Sequence, residues 1–275
     1  MRSSVIISCY EQSRELDIAL AALARQTRLP SEVLIADDGS GPQVKAVVSD
    51  WAQRVPFPIQ HVWQEDRGYR KSRILNEAVR RSTGDQLIFL DGDSFPHRSW
   101  VHDHMSSANG VRILCGRRVK LGPELSPQVS RADVESGRFD SPFRSTLIQS
   151  MLRGDTKRLG LALRLPKPAV RLVHPRPRKL MGVNWSTPRS AYLQVNGLDE
   201  DWTVYGHEDR DIELRLIRAG IPRAPLINRA IVFHLYHAER EKSAKTLELL
   251  AAAEASTATR CEHGVEQEGP FDPAG

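Results

Sequence analysis

The chain has 275 residues, 40% hydrophobic and 27% charged, a globular composition that excludes a disordered or fibrous protein and supplies a core without disulfide staples. A net charge of +5 and a pI near 9.3 point to an anionic partner and leave nucleotide phosphates, nucleic acid and an acidic membrane surface open.

The first elements alternate. Val5-Ile6-Ile7-Ser8-Cys9 is an apolar, β-branched run that predicts a strand. Ser13 is the expected cap of a helix carrying Leu16, Ala19, Leu20 and Leu23 at helical spacing, which Pro30 separates from a strand over Glu32–Ala36. A helix around Val44–Trp51, a strand at Ile59–Trp63 and a helix over Arg70–Arg81 follow, and Gly84 precedes a strand at Gln86–Leu90. Strands separated by helices predict a mostly parallel α/β sheet of Rossmann-like type, with ligands beyond the carboxyl ends of its strands. Two acidic clusters, Asp37-Asp38 and Asp91-Gly92-Asp93, stand at such ends.

The middle differs. Residues 144–179 hold ten Lys/Arg against the single acid Asp155, a local +9, and Pro166, Pro168, Pro175 and Pro177 interrupt any long helix. Order returns at Met181–Thr187. A helix after Gly206 carries Ile212, Leu216 and Ala219 on one face and stops at Gly220. A strand at Ala230–Tyr236 and a helix over Glu239–Ala253 close the folded part, and residues 256–275 read as a disordered tail.

Asp91 and Asp93, at i and i+2 of an extended segment, project the same way roughly 6.6 Å apart along the chain. With Gly92 letting the backbone bend, they can converge on a hard cation, although Asp-Gly is also ordinary turn chemistry. Asp37-Asp38-Gly39-Ser40 reads equally as a strand-to-helix turn and as a carboxylate accepting from a base or ribose. The cations Arg67, Arg70, Lys71 and Arg73 at a helix start oppose the macrodipole unless an anion compensates; a diphosphate would do so. Glu208, Asp209 and Asp211 suit a helix's first turn, but their crowding beside His207 also raises a carboxyl pKa toward that of a general base. His234 and His237 fall on opposite faces of a regular strand, each a weak ligand candidate alone.

Taken in order, Val5 to Tyr10, Glu32 to Ser40, Arg67-Gly68-Tyr69-Arg70 through Asn76, Leu87 to Asp93, and Asn196-Gly197-Leu198-Asp199-Glu200 through Asp209 resemble a glycosyltransferase of the GT-A fold, family two, with a galactosyltransferase-like carboxyl half. The resemblance implies one domain over residues 1–255. Its nucleotide-sugar half would span 1–120, a basic insertion 121–180 and an acceptor half 181–255. It implies donor contacts at Ser8, Tyr10, Asp37, Asp38, Arg70, Arg73, Asn76, Asp91 and Gly92. It also implies an Asp-x-Asp metal site of Asp91 and Asp93 holding Mn2+ or Mg2+, with His234 preferred to His237 as a further ligand. Asp209 would be the base, and Glu208, Trp185 and Trp202 would bind the acceptor. The reaction implied is inverting transfer of a hexosyl or N-acetylhexosaminyl group from a nucleotide sugar, UDP-linked by preference, to a glycan or glycolipid in surface polysaccharide or glycoconjugate synthesis.

No window reaches the ~18–20 apolar residues of a membrane span, and Met1–Val5 has no signal-peptide apolar region. The scattered Cys9, Cys115 and Cys261 fit reduced thiols. The expectation is a cytoplasmic enzyme, peripheral on the inner membrane face if the 144–179 cations and their leucines (147, 152, 159, 161, 163 and 165) meet anionic lipid. A sugar nucleotidyltransferase and a nucleic-acid binder are the competing readings; the basic stretch lacks interleaved aromatics, so nucleic acid is not expected.

Overall fold

A computed structural model describes residues 1–238, 241–266 and 271–273. Chain order is β1 (Ser3–Cys9), α1 (Ser13–Ala24), β2 (Glu32–Asp37), α2 (Pro42–Ala52), β3 (Ile59–Trp63), α3 (Lys71–Arg81), β4 (Gln86–Asp91), β5 (Ser94–Pro96), α4 (Trp100–Ser107), β6 (Ile113–Cys115) and β7 (Arg117–Lys120). Then come α5 (Arg131–Glu135), α6 (Ser145–Leu152), α7 (Lys167–Val173), β8 (Asn184–Pro188), α8 (Arg189–Gln194), α9 (Glu208–Arg218), β9 (Arg223–Pro225), β10 (Ile231–His234) and α10 (Ala244–Ala255). Seven strands form one sheet in the order β3-β2-β1-β4-β8-β6-β9. Four of its six pairings are parallel, and β8 runs antiparallel to both neighbours. A second sheet, β5-β10-β7, lies outside it.

The expected α/β architecture is present, and the alternation of side chains explains its layers. Val5 and Ile7 enter one apolar cluster with the α1 and α2 residues Leu16, Leu20 and Val48; Ile6 enters the other with Ile74, Ala78, Ile212 and Leu216 from α3 and α9. In the second layer Phe89 and its register partner Trp185 stack at 4.3 Å, an aromatic pair worth about 0.5–1.5 kcal/mol beyond its buried area. Trp185 is thereby a core residue. The two sheets are joined through buried Asn184, which donates to the Arg117 and Ala230 carbonyls and accepts from Trp100 Nε1.

Several expectations are corrected. Ser13 is the first residue of α1, with Gln12 before it, and makes no cap hydrogen bond. The last helix begins at Ala244, its start capped by Ser243; residues 239–240 of the expected span lie outside the described residues. The tail is packed. Val265 is buried in the α3/α9 layer, Phe271 lies under the Arg73 and Arg81 guanidinium groups, and Glu65 N donates to Pro273 O. The basic segment is fastened too: fully buried Asp103 receives Arg164 at 2.6 Å and Arg229 at 2.5 Å. Leu147 and Leu159 point into the core, while Leu152 and Leu163 are exposed, as are Phe143, Leu172 and Val173. Among the described residues no helix is long and apolar enough to cross a membrane.

Candidate functional site

The carboxyl ends of β1, β2 and β4 open on a cavity of about 350 Å³ lined by Ser8, Tyr10, Asp38, Asp66, Asp91, Gly92, Asp93 and, from the second sheet, Arg118 and His234. The chain is not extended at Asp91-Gly92-Asp93. It turns there before β5, and Gly92 N donates to Ser8 O at 2.8 Å. A Cβ on Gly92 would stand 2.8 Å from that same carbonyl oxygen, so a side chain at this position would push β1 and the turn apart. The turn aims its two carboxylates at different partners. Asp91 accepts from Ser8 Oγ at 2.9 Å and from Lys71 Nζ at 2.8 Å. Asp93 faces His234 Nε2 at 3.5 Å and His237 Nε2 at 3.4 Å.

Burial pushes both acids toward neutrality, and their neighbours separate them. At Asp91 the Lys71 ammonium outweighs burial and holds the pKa at about 2. At Asp93 burial and the Asp91 charge raise it to about 6. Burial and the Arg118 charge depress His234 to about 3, so its ring is neutral at pH 7 with a lone pair to give. Asp93, His234 and His237 each offer a ligand atom within 4.8 Å of the others. A mixed carboxylate–imidazole set suits Mn2+ better than Mg2+, which prefers oxygen throughout. Sequence spacing set the two histidines on opposite faces; β10 ends at His234, so the chain is free to carry His237 back to Asp93.

Beyond Lys71 lies a narrower recess of about 20 Å³ lined by Trp185, Leu198, Glu208 and Asp209. Lys71 reaches Glu208 at 3.6 Å as well as Asp91, so one ammonium bridges the end of β4 and the start of α9. Asp209 Oδ2 accepts from Gly182 N at 2.9 Å, and burial together with the Glu208 charge raises its carboxyl to about 6. At the cavity's other end buried Asp38 accepts from Gln64 Nε2 and from Arg70 N at 2.9 Å, and burial raises its pKa. Tyr10 OH donates to Asp66 at 2.9 Å. Gly39, at φ +103°, would meet the Asp66 backbone at 2.6 Å with any Cβ, which lets the two loops close on one another.

The structure brings together Ser8, Tyr10, Asp38, Asp91, Gly92, Asp93, His234, Glu208 and Asp209. It sets others apart. Asp37 is fully buried and occupied by Ser40 N and His61. Asn76, also fully buried, spends its amide on Leu198, Glu200 and Tyr192. Arg73 ties Gln64 to the tail, Arg70 fixes Asp38 through its backbone N–H, and Trp202 donates to Gly206 O at 2.7 Å. Trp185 shows one edge to the recess from within its stack. Arg118 and Asp66 are site residues that the sequence reading did not single out, and His237, ranked there behind His234, stands as near to Asp93. Lys71 stands in the cationic run that demanded an anion, yet its anions are Asp91 and Glu208, from elements far away in sequence.

Comparison with known proteins matches residues 4–156 to Glycosyl transferase family 2 and residues 172–238 to a family described as the N-terminal domain of galactosyltransferase. Validoxylamine A glucosyltransferase of Streptomyces hygroscopicus subsp. limoneus is 29% identical over 235 residues, covering 80% of this chain and 48% of that protein. Chondroitin synthase of Pasteurella multocida is 38% identical over 104 residues, 38% of this chain and 11% of that one. The chain thus spans half or less of these relatives' length. Among solved structures, S. aureus TarS 1-349 in complex with UDP superposes with a TM-score of 0.58 at 15% identity, covering 92% of this chain and 65% of that one. The mannosyltransferase PcManGT from Pyrobaculum calidifontis, in complex with GDP-Man and Mn2+, gives 0.58 at 16% identity, covering 93% and 69%. At these identities the likeness establishes the fold, which is GT-A.

Proposed function

The chain belongs to glycosyl transferase family 2, and from that premise we propose that it is a metal-dependent, inverting glycosyltransferase moving a sugar from a nucleotide-sugar donor, by preference UDP-linked, to a hydroxyl of a glycan or glycolipid. The observation that carries this reading is the division of one carboxylate-rich site by Lys71. Asp91, Asp93, His234 and His237 stand on one side and the basic carboxyl of Asp209 on the other.

Asp91, Asp93, His234 and His237 would hold Mn2+ or Mg2+. Such an ion supplies positive charge to a diphosphate leaving group. Asp38 would accept from the base or ribose, with Tyr10 over the same end. Asp209, near pKa 6, is ionised at pH 7 yet basic enough to take the acceptor hydroxyl proton. The oxygen's electron pair forms the new bond to the anomeric carbon as the carbon–oxygen bond to the diphosphate breaks on the opposite face, so configuration inverts. Glu208, held by Lys71, borders the acceptor side.

The acceptor or its carrier is expected to be anionic or membrane-borne. Exposed Phe143, Leu152, Leu172 and Val173 lie among the cations of residues 144–179, and each Lys/Arg near an anionic bilayer contributes about 1 kcal/mol. Incubation with UDP- and GDP-sugars, with Mn2+ or EDTA, and anomeric analysis of the product by NMR tests the reaction. Metal-independent turnover, or retention of configuration, refutes it. Equal sedimentation with neutral and anionic liposomes would count against the membrane contact.

A further inference from the structure

The three-stranded sheet presents two unlike faces. Phe95, Val119 and Phe233 fill the core on one, the two phenylalanine rings stacked at 5.2 Å. Strand alternation sends Arg118 and His234 to the other, since Arg118 pairs in register with Val232 and Lys120 with His234. Arg118 therefore enters the cavity from the same surface as a candidate metal ligand, and it lines that cavity beside Asp91, Gly92 and Asp93.

Its condition there is unusual. The side chain is half-buried, its Nε is fully buried without a hydrogen-bond partner, and its guanidinium forms no hydrogen bond or ion pair among the described residues. Among the buried arginines, Arg215 is paired with Asp211 and Arg229 with Asp103, while Arg117 donates to the Gly116 carbonyl. The acids near Arg118 are already taken, Asp91 by Lys71 and Asp93 by the two histidines. A planar five-donor fork left half-desolvated and unmatched at a cavity wall lacks an anion, and its geometry fits two phosphate oxygens.

We propose that Arg118 is a donor-binding residue that clamps the diphosphate of the nucleotide sugar, in the cavity that Lys71 and the candidate metal ligands also line. The proposal rests on the glycosyltransferase reading and adds a residue to it. Arg118 carries specificity for the diphosphate and none for the base, because base contacts lie at the Asp38 end of the cavity.

The test is calorimetric titration of the full chain, in Mn2+, with UDP, GDP, inorganic pyrophosphate, and uridine or guanosine. Arg118→Met keeps the length and removes the charge; Arg118→Lys keeps the charge and removes the fork. Arg118→Met is expected to weaken the preferred nucleoside diphosphate, and pyrophosphate, by about tenfold to hundredfold, with nucleoside and Mn2+ affinity unchanged. Arg118→Lys should fall between, and it carries the test if the methionine variant does not fold. Unchanged diphosphate affinity overturns the proposal alone, as does a uniform loss for nucleoside and diphosphate, which a merely structural role would give. A wild-type chain that binds neither UDP, GDP nor pyrophosphate overturns the underlying reading as well.

Discussion

Asp209→Asn should make the protein inactive and more stable. The carboxyl is held at about 6 against an ordinary 3.8, so ionising it in the folded state costs about 3 kcal/mol more than in the unfolded chain. Solvent reaches this partly exposed group, which trims the cost to about 1–3 kcal/mol. Asparagine has the same shape, can still accept from Gly182 N, and removes the repulsion from Glu208. The sign follows from linkage: a raised carboxyl pKa favours the folded state below pH 3.8, and that contribution is lost as pH climbs through 6. The variant and wild type should therefore melt together near pH 3.5, diverge between pH 4 and 6, and differ by a constant amount above pH 7. For a chain of this size the plateau corresponds to about 3–9 °C. Melting followed by circular dichroism in EDTA from pH 3.5 to 8 measures it, while transfer falls by about 10²–10⁴ with nucleoside diphosphate affinity intact. Parallel melting curves, or a variant less stable at pH 8, would refute the placing of a strained base at Asp209.

Three further outcomes are expected. Asp93→Ala should lower Mn2+ affinity in calorimetry by more than the ~10–100-fold that losing an outer partner costs; unchanged affinity would remove Asp93 from the metal site. Asn76→Ala should cost about 3 kcal/mol in urea denaturation, because Tyr192 OH and the Leu198 carbonyl lose their buried partner; a change in donor affinity with unchanged stability would restore it to the donor site. Deleting residues 256–275 exposes the pocket that Val265 fills and should cost about 2 kcal/mol, visible as a lower melting temperature; a disordered tail would give no change.

The fold was legible where patterning is local. Strand Ile59–Trp63 agrees with its expected ends, and α9 ends at Arg218, two residues before the expected stop at Gly220, which takes φ +82°. Elements of three or four residues, such as β5, β6 and β9, carry no periodicity of their own. They exist because β10, β8 and β6 in turn offer them edges to pair with. The tail misled for a related reason. Its few apolar residues, Val265 and Phe271, each find a prepared place, one in a core layer and one under two guanidinium groups, and sparse composition does not reveal that.

The site was legible as a set of acids and illegible as a circuit of charge. Its first half follows from strand ends: Asp91 terminates β4 and Asp38 directly follows β2, at the carboxyl ends where ligands of such sheets bind. What decides their chemistry is Lys71, which meets Asp91 20 residues away and reaches Glu208 at 3.6 Å. That bridge drives Asp91 low, while burial and the Asp91 charge leave Asp93 high, and burial with the Glu208 charge raises Asp209. Lys71 thus makes one carboxylate a permanent anion, while at Asp209 its charge works against the rise that burial and Glu208 impose. The same pairing bears on Arg118, which has no hydrogen bond or ion pair among the described residues and faces acids that Lys71 and the two histidines already hold. The surplus charge of the chain separates accordingly. Its +9 segment is fixed to the core through Asp103, while the cavity lining sets four acids, Asp38, Asp66, Asp91 and Asp93, against Lys71 and Arg118, an acidic surplus that a divalent ion would have to offset for a donor diphosphate to enter beside it.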